Sequence, residues 1–537
     1  MQRRSLLAAP LAALAQSSIT KPNIIVVMMD DFGIGHFAPM AASMRAADCN
    51  RQYAAWLKSK KVTYTAEQAL DLSRRAMPNL TEMRRSGVLF TNNFSTSNLC
   101  APSRAGLLTG RLQNQFGHYQ NVDTEASGIP AGTILAQYFQ GAGYATGFIG
   151  KWHVGSRDES LRLEVLKRAN AGEKFDVDAA IRATGYLGAV VPWHHPLEHG
   201  FDYYYGYNRW ECPFYDSEHI WENHRYTGKQ PRYNTELFAE KAIAFLGKSL
   251  RENKPFYLHI APHAVHGPLA PKAPERHFNK FPSPDYKLTN FYAHVHAVDE
   301  MVGQLRGAMT KEEWDNTLFA FCSDNGAPVG LETVLPGNGP YRGHKGTFYM
   351  GGLRTPLFLH WPKGLGSAPR TVDSITSNMD VLPTAMQAAG LSLPAGVEGL
   401  SLLPLARGQT RQLHENLLWS GIHARAWGYT GDTTIGPYNQ RREESPGAWV
   451  VTDGTYLLRY VTATPAGLFN DMPEGEAGHY ELHDLREDVQ EERNLATQLP
   501  QVVERLKAVY AKRARSLPPP SKWRRDRWEE LNRSLTR

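Results

Sequence analysis

Apolar and polar positions alternate in blocks along most of the chain. Residues 24–29 form an unbroken apolar run, and β-branched residues fill its first part. Such a run is typical of a strand that is buried on both faces of a parallel sheet. Similar strands are predicted at residues 88–94, 144–149, 255–260 and 317–322.

Helical patterns separate these strands. The clearest lie at residues 78–85, 134–140, 234–250 and 291–309. This alternation predicts an α/β fold, in which a large, mainly parallel or mixed sheet is sandwiched between helices. The polar stretch at residues 38–76 is interpreted as an insertion after the first strand.

The pattern changes after about residue 441. Residues 449–461 and 479–485 have the character of antiparallel strands, and residues 500–513 predict a final helix. We therefore expect a catalytic domain over residues 21–440 and a smaller C-terminal α+β subdomain with an antiparallel sheet over residues 441–515. Residues 516–537 form a basic tail that we expect to be solvated.

The N-terminus has the features of an export signal. Arg3 and Arg4 precede a short apolar run, and Ala13-Leu14-Ala15 is a small-x-small cleavage site. We predict a signal peptide at residues 1–15 and a periplasmic or secreted protein. The run is too short to span a bilayer, and no later stretch is apolar enough for stable membrane insertion.

Charge and cysteine content exclude some classes of protein. The net charge of +6 over 537 residues favours anionic partners only weakly, and no nucleic-acid recognition module is present. The four cysteines are too few for a disulfide framework. Cys322 lies in a predicted strand, whereas the sequence leaves open whether Cys49 and Cys212 pair.

Polar side chains follow four of the predicted strands where each strand ends. They are Asp30 and Asp31, Lys151 and His153, His263 and His266, and Asp324 and Asn325. Because ligands gather at the carboxyl ends of strands in open α/β sheets, we expect one site at this edge. The oxygen donors of Asp30, Asp31, Asp324 and Asn325 suit Ca²⁺ or Mg²⁺ rather than zinc.

Cys100 lies ahead of a predicted helix with Arg104 one turn later. Such a cysteine is either a nucleophilic thiol or a buried structural residue. The segment Cys100-Ala101-Pro102-Ser103-Arg104, followed by Leu107-Leu108-Thr109-Gly110-Arg111, closely resembles the signature of the type I, formylglycine-dependent sulfatases of the alkaline phosphatase superfamily.

The resemblance continues along nearly the whole mature chain. The matching motifs are Asp30-Asp31-Phe32-Gly33, Gly150-Lys151-Trp152-His153-Val154-Gly155, Gly200-Phe201-Asp202-Tyr203-Tyr204-Tyr205-Gly206, Ser323-Asp324-Asn325-Gly326, Lys345 with Gly351-Gly352-Leu353-Arg354-Thr355-Pro356, Asp380-Val381-Leu382-Pro383-Thr384, Glu481-Leu482-His483-Asp484-Leu485 and Glu492-Arg493-Asn494-Leu495-Ala496.

The resemblance implies a sulfuric ester hydrolase in which a maturation enzyme oxidises Cys100 to formylglycine. The hydrated aldehyde would attack sulfur, and the second hydroxyl would later expel sulfate. The implied metal ligands are Asp30, Asp31, Cys100, Asp324 and Asn325. The metal, Arg104, Lys151 and Lys345 would neutralise the sulfate.

Histidines would supply the proton transfers in this scheme. His266 is the first candidate to protonate the leaving alcohol and His263 the second, while His153 would deprotonate the hydrate. Lys151, His266 and Lys345 would contact the substrate. Three departures from the family pattern are Met350, where glutamate is usual, the segment at residues 261–268, which holds two candidate histidines, and the insertion at residues 38–76, which has no match.

Several features of the sequence bear on the substrate class. The export signal, the net positive charge and the aromatic residues between 192 and 224 favour exo-like action on a sulfated carbohydrate. Those aromatic residues are equally typical of core packing. Two alternatives are a phosphate or phosphonate ester hydrolase of the same superfamily and a non-catalytic glycan-binding relative. The presence of Cys100, Arg104 and Lys345 disfavours the non-catalytic relative.

Overall fold

The computed structural model describes residues 21–329, 334–423, 445–464 and 474–535. The predicted signal peptide lies outside these ranges, as does the predicted domain boundary near residue 441. Among the helices in the described ranges, none is both long and apolar enough to cross a membrane.

The described residues contain strands that we number in chain order. They are β1 (Asn23–Met29), β2 (Val88–Phe90), β3 (Asn93–Phe94), β4 (Ala145–Lys151), β5 (Tyr203–Tyr207), β6 (Trp221–Glu222), β7 (Arg225–Tyr226), β8 (Phe256–Ala261), β9 (Thr317–Ser323), β10 (Leu357–His360), β11 (Arg370–Val372), β12 (Thr376–Ser377), β13 (Leu417–Ile422), β14 (Gly447–Thr452), β15 (Tyr456–Val461) and β16 (His479–Asp484).

The α-helices are numbered in the same way. They are α1 (Ala38–Ala41), α2 (Arg51–Ser59), α3 (Ala66–Ala76), α4 (Pro78–Met83), α5 (Cys100–Thr109), α6 (Asn121–Ser127), α7 (Ala136–Gly141), α8 (Glu159–Asn170), α9 (Val177–Ala183), α10 (Asn234–Arg251), α11 (Glu275–Phe278), α12 (Tyr286–Gly307), α13 (Lys311–Asp315), α14 (Met350–Leu353), α15 (Pro362–Leu365), α16 (Val381–Ala388), α17 (Leu403–Ala406), α18 (Pro500–Ala514) and α19 (Arg525–Arg533).

A ten-stranded mixed sheet forms the centre of the fold, in the order β11-β2-β10-β9-β1-β8-β4-β5-β6-β7. Strand β1 pairs in parallel with both β8 and β9, and β4 pairs in parallel with β8 and β5. Strand β10 runs antiparallel to β9 and β2. The predicted α/β class and mixed sheet are confirmed.

Both faces of the central sheet are buried in hydrophobic cores. Ile25, Val27 and Met29 point into one core with residues of α10 and α12, whereas the alternate residues of β1 point into the other core with residues of α5, α7 and α16. This explains the unbroken apolar run, because a strand covered on both faces has no solvent-facing position to keep polar.

The segment predicted to be an insertion forms part of the cover on one face. Helices α1 and α3 pack against each other, and α3 packs against α12. Leu70 and Leu72 of α3 are buried in the core on that face. Thr65 caps α3 and forms a capping box with Gln68. The segment therefore contributes apolar surface to the core.

A second, four-stranded antiparallel sheet has the order β13-β14-β15-β16. Its first strand starts at Leu417, ahead of the predicted subdomain start. Trp449 of β14 stacks on Tyr510 of α18 with ring centroids 4.5 Å apart. On the other side, Ala448 and Val450 share a core with Phe348 and Met350. The small sheet thus packs directly against the segment that carries Lys345.

The expectation of a solvated basic tail is wrong. Helix α19 packs on β14, and Trp523 and Leu531 are buried in the core of the small sheet. The indole nitrogen of Trp528 donates a hydrogen bond to Tyr119 Oη. The tail carries apolar side chains between its charged ones, and burial of these side chains outweighs the solvation of the basic residues.

All four cysteines are buried and free, so the structure contains no bond between Cys49 and Cys212. Burial raises the pKa of the Cys212 thiol to about 12. The Cys212 thiol therefore behaves as a small apolar side chain.

Candidate active site

The side chains that follow β1, β4, β8 and β9 lie in one buried cluster. Asp30 and Asp31 follow β1, Lys151 ends β4, and Asp324 follows β9. All four are buried. Parallel strands place their carboxyl ends at one edge of the sheet, so residues far apart in the chain converge there.

Cys100 begins helix α5 at the centre of this cluster. Its Sγ lies 3.8 Å from Asp30 Oδ1 and 3.9 Å from Asp31 Oδ1. Burial raises the pKa of the thiol to about 12, although Lys151 and Lys345 act in the opposite direction. The unmodified residue is therefore a protonated thiol at neutral pH and a weak nucleophile.

Three cationic side chains each contact one of the three carboxylates. The distances are 2.7 Å from Lys151 Nζ to Asp30 Oδ2, 2.6 Å from Lys345 Nζ to Asp31 Oδ1 and 2.7 Å from Arg104 Nη2 to Asp324 Oδ2. Positive and negative charge is thus concentrated where little solvent screens it.

The pKa values of Asp31 and Asp324 are shifted in opposite directions. Burial alone would raise the pKa of Asp31, but Lys345, His266 and Lys151 hold it well below its usual range. The pKa of Asp324 is raised, because burial and the neighbouring charges of Asp30 and Asp31 outweigh the effect of Arg104.

The oxygen donors fit a hard divalent cation. Asn325 Oδ1 is buried and has no hydrogen-bond partner among the described residues, while its Nδ2 donates to Asp31 Oδ1 at 2.8 Å. Ligand atoms of Asp30, Asp31, Cys100 and His266 lie within 4.8 Å of one another. A cation beside Asn325 Oδ1 would supply the missing partner.

The predicted histidines occupy different positions around this cluster. His266 Nε2 lies 3.6 Å from Asp31 Oδ2 with a side chain that is 15% exposed, whereas His263 is only 1% exposed. His263 Nδ1 lies 3.1 Å from Tyr207 Oη. Burial and Lys345 lower the pKa of His266 to about 3, so this side chain is neutral without substrate. Its partial exposure makes it the more accessible of the two.

His153 contacts a carboxylate that the sequence did not indicate. Its Nε2 lies 2.7 Å from Oε1 of Glu125, which belongs to α6. Its Nδ1 is buried without a hydrogen-bond partner in the described part of the chain. Both His153 and Asp31 have positive φ angles, of 56° and 59°. Strained conformations of this kind concentrate at functional sites.

The loop that carries Lys345 is fixed from the C-terminal part of the chain. The Met350 backbone N–H donates to Glu491 Oε1 at 2.6 Å, and Arg459 Nη1 donates to Glu491 Oε2 at 2.7 Å and to the Phe348 carbonyl at 2.9 Å. Sequence analysis missed Arg459 and Glu491, because the loop residues that they contact lie more than 100 residues away in the chain.

The aromatic segment between residues 192 and 224 has a mixed role. Tyr204 and Phe214 are buried in the two large cores, whereas Trp193 is 67% exposed. Trp210 lines a cavity beside His153. Core packing therefore explains part of this segment, and one tryptophan borders the site.

Comparison with protein families and curated proteins shows which proteins this chain is similar to. A family model described as Sulfatase matches residues 22–391. The chain is 29% identical over 543 residues to the uncharacterized sulfatase YdeN of Escherichia coli (strain K12), covering 96% of this chain and 90% of that protein. It is 28% identical to the N-acetylgalactosamine-6-sulfatase of Homo sapiens, covering 71% of this chain and 65% of that protein.

Solved structures share the fold at low sequence identity. One is Ps i-CgsB in complex with k-i-k-neocarrahexaose, with a TM-score of 0.69, 21% identity and coverage of 96% of this chain and 97% of that one. Another is BT4656 in complex with its substrate D-glucosamine-2-N,6-O-disulfate, with a TM-score of 0.60, 17% identity and coverage of 94% and 100%.

Proposed function

Because the chain belongs to the sulfatase family and is a sulfatase, we propose that it removes sulfate from a sulfated carbohydrate by using formylglycine derived from Cys100 and a divalent cation, Ca²⁺ or Mg²⁺. The observation that carries this proposal is the position of Cys100, whose Sγ lies within 4 Å of Asp30 and Asp31. The carbohydrate class is supported by the relative named N-acetylgalactosamine-6-sulfatase and by the structural neighbour solved with D-glucosamine-2-N,6-O-disulfate.

Asp30, Asp31, Asp324 and Asn325 would hold the cation next to residue 100. When present, formylglycine supplies the nucleophile and the cation supplies positive charge that polarises the sulfate ester. A maturation enzyme is needed for the conversion of Cys100. The predicted signal peptide at residues 1–15 supports export to the periplasm or beyond.

Lys151, Lys345 and Arg104 would neutralise the negative charge of the sulfate group. Each contacts a buried carboxylate, so its position is fixed before substrate arrives. Preorganised charge of this kind needs no rearrangement during the reaction and is usually the largest electrostatic contribution to catalysis.

His266 would protonate the leaving alcohol. Its Nδ1 lies 2.6 Å from the Gly267 carbonyl, which fixes a proton on Nδ1 and directs Nε2 toward the carboxylate side of the cluster. Lys345 is one cause of its low pKa. A bound sulfate would offset that positive charge and so favour the protonated imidazole. His153, held by Glu125, would accept a proton after sulfate transfer.

Substitution of His266 by asparagine is expected to slow hydrolysis of a carbohydrate sulfate by about 10²–10⁴-fold, the usual contribution of general acid catalysis. Hydrolysis of p-nitrophenyl sulfate should slow much less, because nitrophenolate leaves without a proton. Steady-state kinetics on both substrates measure this difference.

His263→Asn is the matched control for that comparison. His263 contacts Tyr207 and Asp30 rather than the exposed side of the site, so its loss should affect both substrates to a similar degree. Equal losses on the two substrates for His266→Asn would contradict the general-acid role.

Removal of divalent cations by a chelator is expected to abolish sulfate release, and Ca²⁺ or Mg²⁺ should restore it. A cation that binds only the folded chain also stabilises it, by about 2.7 kcal/mol at a concentration 100 times Kd. Thermal unfolding with and without Ca²⁺ measures this shift, which should shrink in Asn325→Ala. A chelated protein that keeps full activity would exclude the cation from the mechanism.

A further inference from the structure

A cavity of about 470 Å³ lies beside the candidate active site. Its volume lies within the roughly 300–1,000 Å³ typical of small-molecule sites. The cavity shares His153 with the site, and the Trp210 carbonyl accepts a hydrogen bond of 2.8 Å from Lys151 Nζ. A molecule in this cavity would therefore adjoin the group bound at the catalytic centre.

Two guanidinium groups line the cavity and lie against one aromatic ring. Arg209 Cζ is 4.3 Å and Arg157 Cζ 5.5 Å from the ring centroid of Trp210. Burial and the positive charge of Arg157 lower the pKa of Arg209. Two like charges at one ring repel each other, and the tryptophan holds both of them in place.

Neither guanidinium has a carboxylate within hydrogen-bond distance in the described ranges. The nearest is Glu211 Oε1, 3.6 Å from Arg209 Nη2. The two glutamates that line the cavity have other partners, since Glu125 contacts His153 at 2.7 Å and Glu159 accepts from Tyr186 Oη at 2.6 Å. Both guanidinium groups keep an unsatisfied donor, because Nε of Arg157 and Nε of Arg209 are buried without a hydrogen-bond partner among the described residues.

We propose that Arg157 and Arg209 bind a second anionic group of the substrate, either a sulfate ester or a carboxylate. That group would belong to the sugar unit next to the one that carries the scissile sulfate. Guanidinium groups suit both anions, because their donors match two oxygens at once. This inference rests on the proposed carbohydrate sulfatase function and narrows its substrate to multiply charged saccharides.

Kinetics of Arg157→Gln and Arg209→Gln test the proposal with pairs of substrates that differ in one charged group. The probes are a monosulfated disaccharide, its disulfated counterpart, a uronate-containing sulfated disaccharide and the carboxyl-reduced form of the latter. For each variant, we expect the ratio of kcat/KM on doubly charged to singly charged saccharide to fall at least tenfold. If this ratio falls for the disulfated pair, the second anion is a sulfate ester. If it falls for the uronate pair, the second anion is a carboxylate.

Arg168→Gln is the control variant. Arg168 lies in the last turn of α8, pairs with Glu173 and does not line the cavity. In this variant, the ratio of kcat/KM on doubly charged to singly charged saccharide should not change. Equal losses on singly and doubly charged saccharides in the Arg157 and Arg209 variants, or no loss on either, would overturn the proposal.

Calorimetric binding of the same disaccharides to the full chain separates this inference from the proposed function. If the wild-type protein released no sulfate from any sugar, the proposed function would fail. Tighter binding of the doubly charged disaccharides, lost in Arg209→Gln, would still support the cavity assignment. Equal binding of singly and doubly charged disaccharides, or no binding, would overturn it.

Discussion

Replacement of Cys100 by alanine is expected to lower kcat/KM for sulfate ester hydrolysis by at least about 10³-fold, because loss of the nucleophile removes the covalent route. Cys100 is the only residue at this centre that the matching signature marks for conversion to an aldehyde. Its side chain is small, so alanine leaves the carboxylates and cations around it in place. Sulfate release at saturating and limiting substrate measures the effect.

Cys49→Ala is the matched control for this substitution. Cys49 is also a buried free cysteine, but it lies in the helical segment after β1, outside the catalytic cluster. Its loss should leave kcat/KM within about twofold and cost about 1 kcal/mol of stability, as for a small cavity. A Cys100→Ala enzyme that retained more than a tenth of the wild-type activity would exclude residue 100 as the nucleophile.

Substitution of Arg459 by methionine is expected to lower the free energy of unfolding by about 3–5 kcal/mol, the usual cost of breaking a buried ion pair. Arg459 is fully buried and contacts both Glu481 and Glu491. Its charge holds the pKa of Glu481 well below the usual range, against the effect of burial. Methionine would leave two carboxylates without their cation. Urea unfolding followed by tryptophan fluorescence measures the loss.

The same variant should also lower kcat, because Arg459 and Glu491 fix the backbone around Phe348 and Met350 in the loop that carries Lys345. The double variant Arg459→Met with Glu491→Gln removes one of the uncompensated charges and keeps an acceptor for the Met350 N–H. It should recover part of the lost stability. A single variant that costs less than about 1 kcal/mol would contradict this account of the loop.

The central strands could be predicted because each is covered on both faces. The predicted strand at residues 317–322 appears as Thr317–Ser323, and that at 255–260 appears as Phe256–Ala261. The predicted strand at residues 88–94 is divided into β2, which belongs to the central sheet, and β3, which pairs with β12 in a separate two-stranded sheet. Periodicity alone does not show such a division, because it depends on which distant strand each half meets.

The convergence of Asp30, Lys151 and Asp324 could be predicted because the parallel topology fixes where strand ends meet. The roles of Glu125 and Glu491 could not be predicted, because a lone glutamate in a short helix or turn carries no local signal of the residue that it contacts. The same holds for the placement of Arg157 and Arg209 around Trp210. These residues act through tertiary contacts that sequence spacing does not encode.

The packing of residues 516–535 shows how composition alone misled the prediction. The segment is rich in basic residues and starts with prolines, which suggested a solvated tail. Two of its buried residues, Trp523 and Leu531, cover one side of the small sheet instead. A helix with charged residues on one side and a few large apolar residues on the other docks readily where a sheet face is open.

The mass of the peptide that contains residue 100, measured together with sulfate release from sulfated disaccharides, tests the central claim most directly. The protein should be produced with a sulfatase maturation system. The account predicts a peptide about 18 Da lighter than the cysteine form, as expected when a thiol becomes an aldehyde, in protein that releases sulfate. Sulfate release by protein whose Cys100 remains an unmodified thiol would contradict the formylglycine mechanism.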